Sequence, residues 1–400
     1  MIEKVLKLRL SHKTKKRMVI IFSIIIFLVV VKAFWVFSAT GGHGTFDGEK
    51  KEIIRRANFL TSKVATSPQQ LLDEMPSGIG TQFQGEWALY SCSMTCAALA
   101  NIAILYPKNK DISIKYIGQI IDIAMSEEIR EYDRMRWNED PLDGIYGNLS
   151  HISYYSHLAW MISRYKQIGG DGKYDGTYDS LCKAMNRRLI NSKILNLPTY
   201  PDECIYIPDM LVAIVAIYNY SRQNNGKYYT TVKRWIEIAK TEWIDQETGL
   251  LASFLAEDRG KTKVLQPVKG SYSALNCYYL SLIDPEFAKE QYEFLKRQFK
   301  QEFLITGIKE YHDKRCMFGM DIDAGPIIFS LSPSGTAFAI GCATSLEDME
   351  FRNQLLKTAE IGGSSITWFG NTHYLLANMA LVGEAIVLAM RTSNPQTRIN

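Results

Sequence analysis

Tyr200-Pro201-Asp202-Glu203-Cys204-Ile205-Tyr206-Ile207-Pro208-Asp209 runs straight into Met210-Leu211-Val212-Ala213-Ile214-Val215-Ala216-Ile217. A turn rich in acids and aromatics thus feeds a helical run that is apolar on every side. A helix apolar all round is buried all round. The same device recurs along the chain, at Gly85-Glu86-Trp87, Gly147-Asn148-Leu149-Ser150-His151, Lys269-Gly270-Ser271-Tyr272, Asp321-Ile322-Asp323-Ala324-Gly325-Pro326 and Trp368-Phe369-Gly370-Asn371-Thr372-His373. Each interval holds two helices and two loops. Ile327 to Ile340 and Tyr374 to Ala389 are also apolar throughout, whereas Tyr228 to Trp243 and Ala288 to Phe303 are amphipathic. Alternation of this kind predicts a buried inner ring and a half-exposed outer ring. Helices of the same parity point the same way, so all six junctions share one face, and a site is expected at that mouth.

The periodicity predicts helices over 86–104, 112–131, 149–168, 175–192, 208–223, 227–243, 271–281, 285–303, 326–343, 347–361 and 373–390, with a twelfth at 53–66 closing six pairs. Pro107 ends the first run and Gly169-Gly170 the third. Asp284-Pro285 reads as an N-cap followed by proline in the first turn. The polar reach from Asp245 to Gly270 reads as an excursion over the ring face, with Thr262-Lys263-Val264-Leu265 as its one strand candidate.

Met18 to Ser38 is apolar except for Lys32 and two serines, and at about 1.5 Å per residue it matches a bilayer core of about 30 Å. Lys4, Lys7, Arg9, Lys13, Lys15, Lys16 and Arg17 precede it, and no Lys or Arg follows Ser38 until Lys50. This bias predicts an uncleaved, single-pass plasma or inner-membrane anchor, with the N-terminus cytoplasmic and the rest periplasmic or extracellular. A cleaved signal peptide is the competing reading. The expected organisation is a basic tail (1–17), a transmembrane signal-anchor (18–38), a stalk (39–82), a helical toroid (83–392) and a short tail (393–400).

The formal charge of +4 comes largely from that basic flank, and no basic stripe points to nucleic acid. Seven scattered cysteines make no disulfide framework. Cys92 and Cys96 share a helix face but lack further ligands, so neither a metal nor a cofactor is expected. No nucleophile elbow, phosphate loop, zinc motif or dinucleotide fingerprint is present.

Chemistry is therefore expected at the junctions. Asp202, Cys204, Tyr206 and Asp209 stand together before a buried helix, although both aspartates could equally cap amides. Asp321 and Asp323 are two apart, a spacing at which one carboxyl can raise the other's pKa; either could also be an N-cap. His157 lies in an apolar run with Tyr154 and Tyr155, where a satisfied core histidine is the plainer reading. Tyr146, Asn148, Tyr206, Asp321, Tyr311, Trp368 and His373 are expected to contact substrate at the mouth. The catalytic set is Asp209, Asp323, Asp202, His157 and Cys204.

On its hairpin pattern, residues 83–390 resemble the six-hairpin (α/α)6 toroids of many glycoside hydrolases and polysaccharide lyases. The run Asp202-Glu203-Cys204 with Tyr154 to His157 is also similar to linalool dehydratase/isomerase-like toroids, though the second active-site cysteine of that family has no counterpart here and Asp209 stands near its place. Ile283-Asp284-Pro285-Glu286-Phe287-Ala288 and Asp321 to Pro326 resemble runs in bacterial proteins of undetermined function. The first resemblance implies a membrane-anchored enzyme acting on polysaccharide, hydrolase or lyase, with Asp209 and Asp323 as the acid/base pair. The second implies a lyase or isomerase on a small hydrophobic isoprenoid alcohol, dependent on Cys204. The third reading is a non-catalytic envelope-polysaccharide binding or scaffold protein, its mouth acids all spent as caps.

Overall fold

A computed structural model describes residues 12–38, 46–76, 78, 80–302, 305–313, 316–378 and 380–399. The basic residues Lys4, Lys7 and Arg9, and the first part of the expected stalk, lie outside these residues.

The chain opens with helix α1 (His12–Ser38), whose described side chains from Met18 to Phe34 are exposed. Then come α2 (Phe46–Val64), α3 (Pro68–Asp73), α4 (Thr81–Leu105), α5 (Lys110–Ala124), α6 (Glu127–Trp137), α7 (Ile152–Gln167) and α8 (Asp175–Asn191). The short strand β1 (Ile205–Tyr206) leads into α9 (Ile207–Gln223) and α10 (Tyr229–Glu242). Strands β2 (Phe254–Asp258) and β3 (Lys261–Leu265) form a hairpin, and β2 also pairs with β1. α11 (Gly270–Ile283) and α12 (Pro285–Phe299) are followed by the antiparallel pairs β4 (Lys300–Gln301) with β5 (Gly307–Ile308), and β6 (Phe318–Asp321) with β7 (Gly325–Ile328). α13 (Pro333–Ser345) and α14 (Met349–Gly363) come next, then the hairpin β8 (Ser365–Trp368) and β9 (Asn371–Tyr374), and last α15 (Leu381–Arg391).

Six helices close a ring: α4 packs on α7, α7 on α9, α9 on α11, α11 on α13, α13 on α15, and α15 back on α4. α5, α8, α10, α12 and α14 each pack outside it. α2, within the stretch read as a stalk, packs on α4 and α15 and supplies the sixth outer position. It is held by buried charges. Arg352 donates to both oxygens of Glu49 at 2.8 Å, Arg391 donates to Glu49 at 2.8 Å and to Glu52 at 2.9 Å, and Arg56 donates to Glu384 at 2.7 Å. Guanidinium forks meeting carboxylates in this way satisfy groups that would be costly to bury alone.

Among the described residues, α4 is long and apolar enough to cross a membrane by length and composition, but it is mostly buried within the ring.

The differences from the expected elements have local causes. The run 112–131 is two helices, because Ser126 is extended and caps α6 through the Ile129 amide. The expected helix at 326–343 begins only at Pro333. Phe329 and Ser330 take positive φ, which breaks the run, and Ser332 then caps α13 through the Gly335 amide. The apolar stretch from Tyr374 starts as strand and 3-10 turn, so α15 begins at Leu381. The strand candidate at 262–265 is β3. All seven cysteines are free.

Candidate functional site

The N-terminal ends of the inner helices surround a cavity of about 700 Å³. α4 contributes Glu86, Trp87 and Tyr90; α7 contributes Ser153 and His157; Pro208 and Asp209 come from α9 and Tyr272 from α11. α6 lies across α4 and adds Tyr132 and Arg136. This crossing needs Gly85, where a Cβ would stand 2.7 Å from the Tyr132 Cβ. The β6–β7 turn brings in Ile322, Asp323 and Ala324.

Five carboxyls therefore line one cavity, Glu86, Glu203, Asp209, Asp323 and Glu384. Burial raises Glu86 to about 8; the nearby Asp209 adds to this, and Arg136, 3.7 Å away, opposes it. Asp209 is raised to about 7, first by burial; the Thr199 hydroxyl pulls it back, and Asp323 and Glu203 push it further. A carboxylic acid poised near neutrality is the property expected of a general acid.

Asp323 belongs to a second, linked cluster. Lys269, buried just before α11, donates to Asp321 at 2.9 and 3.0 Å and to Asp323 at 3.0 Å, and stands 3.5 Å from Glu310. Burial works against the Asp321 carboxylate, but the Lys269 ammonium and the Asp323 and Ala324 amides hold its pKa below the ordinary value. Glu310 is raised by burial, against the pull of Lys269. The approach of this loop depends on Gly270, where a Cβ would lie 1.9 Å from the Lys309 carbonyl oxygen.

Burial drives His157 down to about 3, so the ring is neutral; its Nδ1 meets the Ser93 hydroxyl at 2.8 Å. Arg136 stacks over Tyr200, 3.6 Å from the ring centroid, and donates to Glu203 at 3.2 Å. No group of metal-ligating side chains occurs among the described residues.

Comparison with known proteins gives the architecture a counterpart. A solved unsaturated glucuronyl hydrolase specific for heparin superposes with a TM-score of 0.52 at 10% identity, over 84% of this chain and 96% of its own. The two share a fold. A Clostridium acetobutylicum glycoside hydrolase from family 105 superposes with a TM-score of 0.49 at 11% identity, over 75% of this chain and 92% of that one. No family model and no curated protein matches the sequence.

Of the residues expected at the site, the cavity brings together Asp209, Asp323, His157 and Tyr206. Tyr206 donates to Glu203 at 3.1 Å and packs edge-on to Phe254. Asp321 does not line the cavity but shares Lys269 with Asp323. Asp202 is exposed in a left-handed turn with φ 60°, and Cys204 is half-buried; neither lines the cavity. Tyr146 and Asn148 are exposed away from it, and Tyr311 is half-buried outside it. Trp368 is exposed at the β8–β9 turn, and His373 is buried further along that hairpin, stacked on Phe59 with centroids 4.0 Å apart.

Sequence reasoning assigned no role to Glu86, Arg136 or Lys269. Glu86 and Lys269 stand in quoted junctions, and an acid inside an otherwise apolar helix was the readable signal. Arg136 reaches the cavity only because the chain breaks at Ser126.

Proposed function

We propose that this protein is a glycan-acting hydrolase whose acid/base pair is Asp209 and Asp323. The observation that carries the reading is that carboxyls from different junctions face one cavity walled by Trp87, Tyr90 and Tyr272, with Asp209 poised near 7. Asp209 in its acid form gives its proton to the glycosidic oxygen as the bond to the anomeric carbon breaks. Asp323, ion-paired to Lys269, takes the proton of the attacking water. Neutral Glu86 donates to a sugar hydroxyl. With Glu86 uncharged, Arg136, shared with Glu203, is the cation lining the cavity that can meet a sugar carboxylate. A uronic-acid-bearing glycan is therefore the substrate class, in keeping with the glucuronyl substrate in the name of the solved structure sharing the fold. We also read α1 as a single-pass anchor with the toroid outside the cytoplasm, on the strength of its exposed apolar side chains and the basic flank before it.

The test is reducing-end release from a panel of oligouronates by the full chain. Asp209→Asn and Asp323→Asn are each expected to lower kcat by about 10²–10⁴. The rate is expected to fall as pH rises through about 7, where Asp209 loses its proton. Full activity in both variants would sink the assignment. Resistance of the protein to alkaline extraction from membranes tests the anchor.

A further inference from the structure

The cavity has two unlike halves. Glu86, Asp209 and most of its rings lie on the α4, α7, α9 and α11 side. The opposite wall, from α13, α14 and α15, presents Ala337, Phe338, Ile361, Val382, Ile386 and Val387. Several polar atoms on that wall already have partners within the protein. Thr336 Oγ1 accepts from the Ile308 amide at 3.1 Å, and Thr358 Oγ1 donates to the Thr306 carbonyl at 2.5 Å. Glu384 accepts from Arg56 at 2.7 Å through one oxygen and from the Tyr374 amide at 2.8 Å through the other. Ser334 and Tyr374 aside, a saccharide pressed against this wall would lose water from most of its hydroxyls with few partners to replace it, which is unfavourable.

The apolar wall continues outward. Ile322, Ile328, Phe329 and Leu376 line the cavity and are also half-exposed to solvent. Beyond them Phe318 and Met320 stand out on β6, and Trp368 and Phe369 at the β8–β9 turn are 71% and 92% exposed. Several large apolar side chains exposed near one cavity mouth are uncommon on a protein that meets only water. α1 packs against α14, whose last turn, Ile361 to Gly363, forms part of the apolar wall. The apolar wall thus opens at Ile328 and Phe329, and Phe329 meets the exposed Phe318 ring with centroids 5.0 Å apart.

We propose that the apolar half of the cavity is a hydrocarbon-chain site, so that the substrate is a glycan carried on a lipid. The sugar lies against Glu86, Asp209 and Asp323, and the chain runs along α13 to α15 and leaves between the two hairpins. The sugar end of this assignment rests on the glycan reading above; the chain end rests on the wall alone.

The test uses the full chain in lipid nanodiscs with dodecyl maltoside carrying a terminal diazirine, photolysed and mapped by peptide mass spectrometry. Adducts are expected on Ile361, Val382 and Ile386, and to be competed by unlabelled dodecyl maltoside. Val382→Trp and Ile361→Trp, both at half-exposed cavity positions, are expected to cut adduct yield about tenfold by filling the site. An unchanged melting temperature in either variant separates filling from misfolding. Adducts confined to α1 and the hairpin tips would show partition into lipid only and overturn the proposal, as would equal yield in both folded variants. Soluble oligouronates are assayed in parallel. Turnover dependent on Asp209 with an unlabelled wall removes the chain site and leaves the glycan reading. A labelled wall with no turnover of any glycan removes the glycan reading and leaves the chain site.

Discussion

Replacing Asp209 by Asn should stabilise the protein at alkaline pH while removing its activity. Asp209 has an ordinary value of 3.8 and is raised to about 7 in the fold, chiefly by burial. An acid raised by folding costs stability once the unfolded chain ionises and the folded one does not. The loss begins above pH 3.8, grows as pH rises, and levels off above about 7. At roughly 1.4 kcal/mol per pH unit, the cost reaches roughly 1.6 kcal/mol at pH 5 and roughly 4.4 kcal/mol at pH 8. Water reaching the cavity screens the charge, so a difference of about 1–3 kcal/mol between the two pH values is the working figure. Asn keeps the shape and never ionises. Urea unfolding of both proteins at pH 5 and pH 8 should therefore show the variant gaining on the wild type as pH rises. A constant difference at both values, or a variant losing ground at pH 8, would refute the claim that a buried, protonated carboxyl sits at this position.

Other consequences are simpler to state. Gly270→Ala places a methyl on the Lys309 carbonyl; it should destabilise the protein by at least about 1–3 kcal/mol in thermal melts and lower kcat by displacing Lys269 from Asp321 and Asp323. Asp202→Gly relieves a left-handed residue outside the cavity, and both stability and turnover should stay within about twofold of wild type. Arg352→Met leaves Glu49 short of a buried partner and should cost about 3–5 kcal/mol by urea unfolding, with no change in the pH at which residual activity falls.

The ring was readable because its signal is long and repeated. Met210 to Ile217 can be buried on all sides only inside a second layer of helices, and the amphipathic partner at 229–242 supplies part of that layer. The strand at 262–265 was readable in its polar excursion, but the later hairpins were not, because an apolar stretch such as Tyr374 to Ala389 fits strand and helix alike until its turn geometry is known. Ser332-Pro333 did mark the start of α13, and the apolar residues before it masked the signal. At the site, Asp209 and Asp323 were legible as junction acids. Glu86 carried a signal as an acid within an apolar helix, but Arg136 was not legible, because it reaches the cavity through a crossing of α6 over α4 that no local pattern encodes. Asp202 illustrates the converse. It sits in the densest polar stretch of the chain, yet its backbone turns it outward.

The buried charges on α2 also set an order of events. Glu49 is held by Arg352 and Arg391, 303 and 342 residues further along the chain. During synthesis α2 is therefore made well before its partners and is among the last to find them. Until α14 and α15 arrive, its acids must stay hydrated and the ring must stay open. Contacts this distant are slow to form even in a helical protein. A chain cut short before Arg391 would lose not a tail but the step that converts an open spiral of hairpins into a closed one.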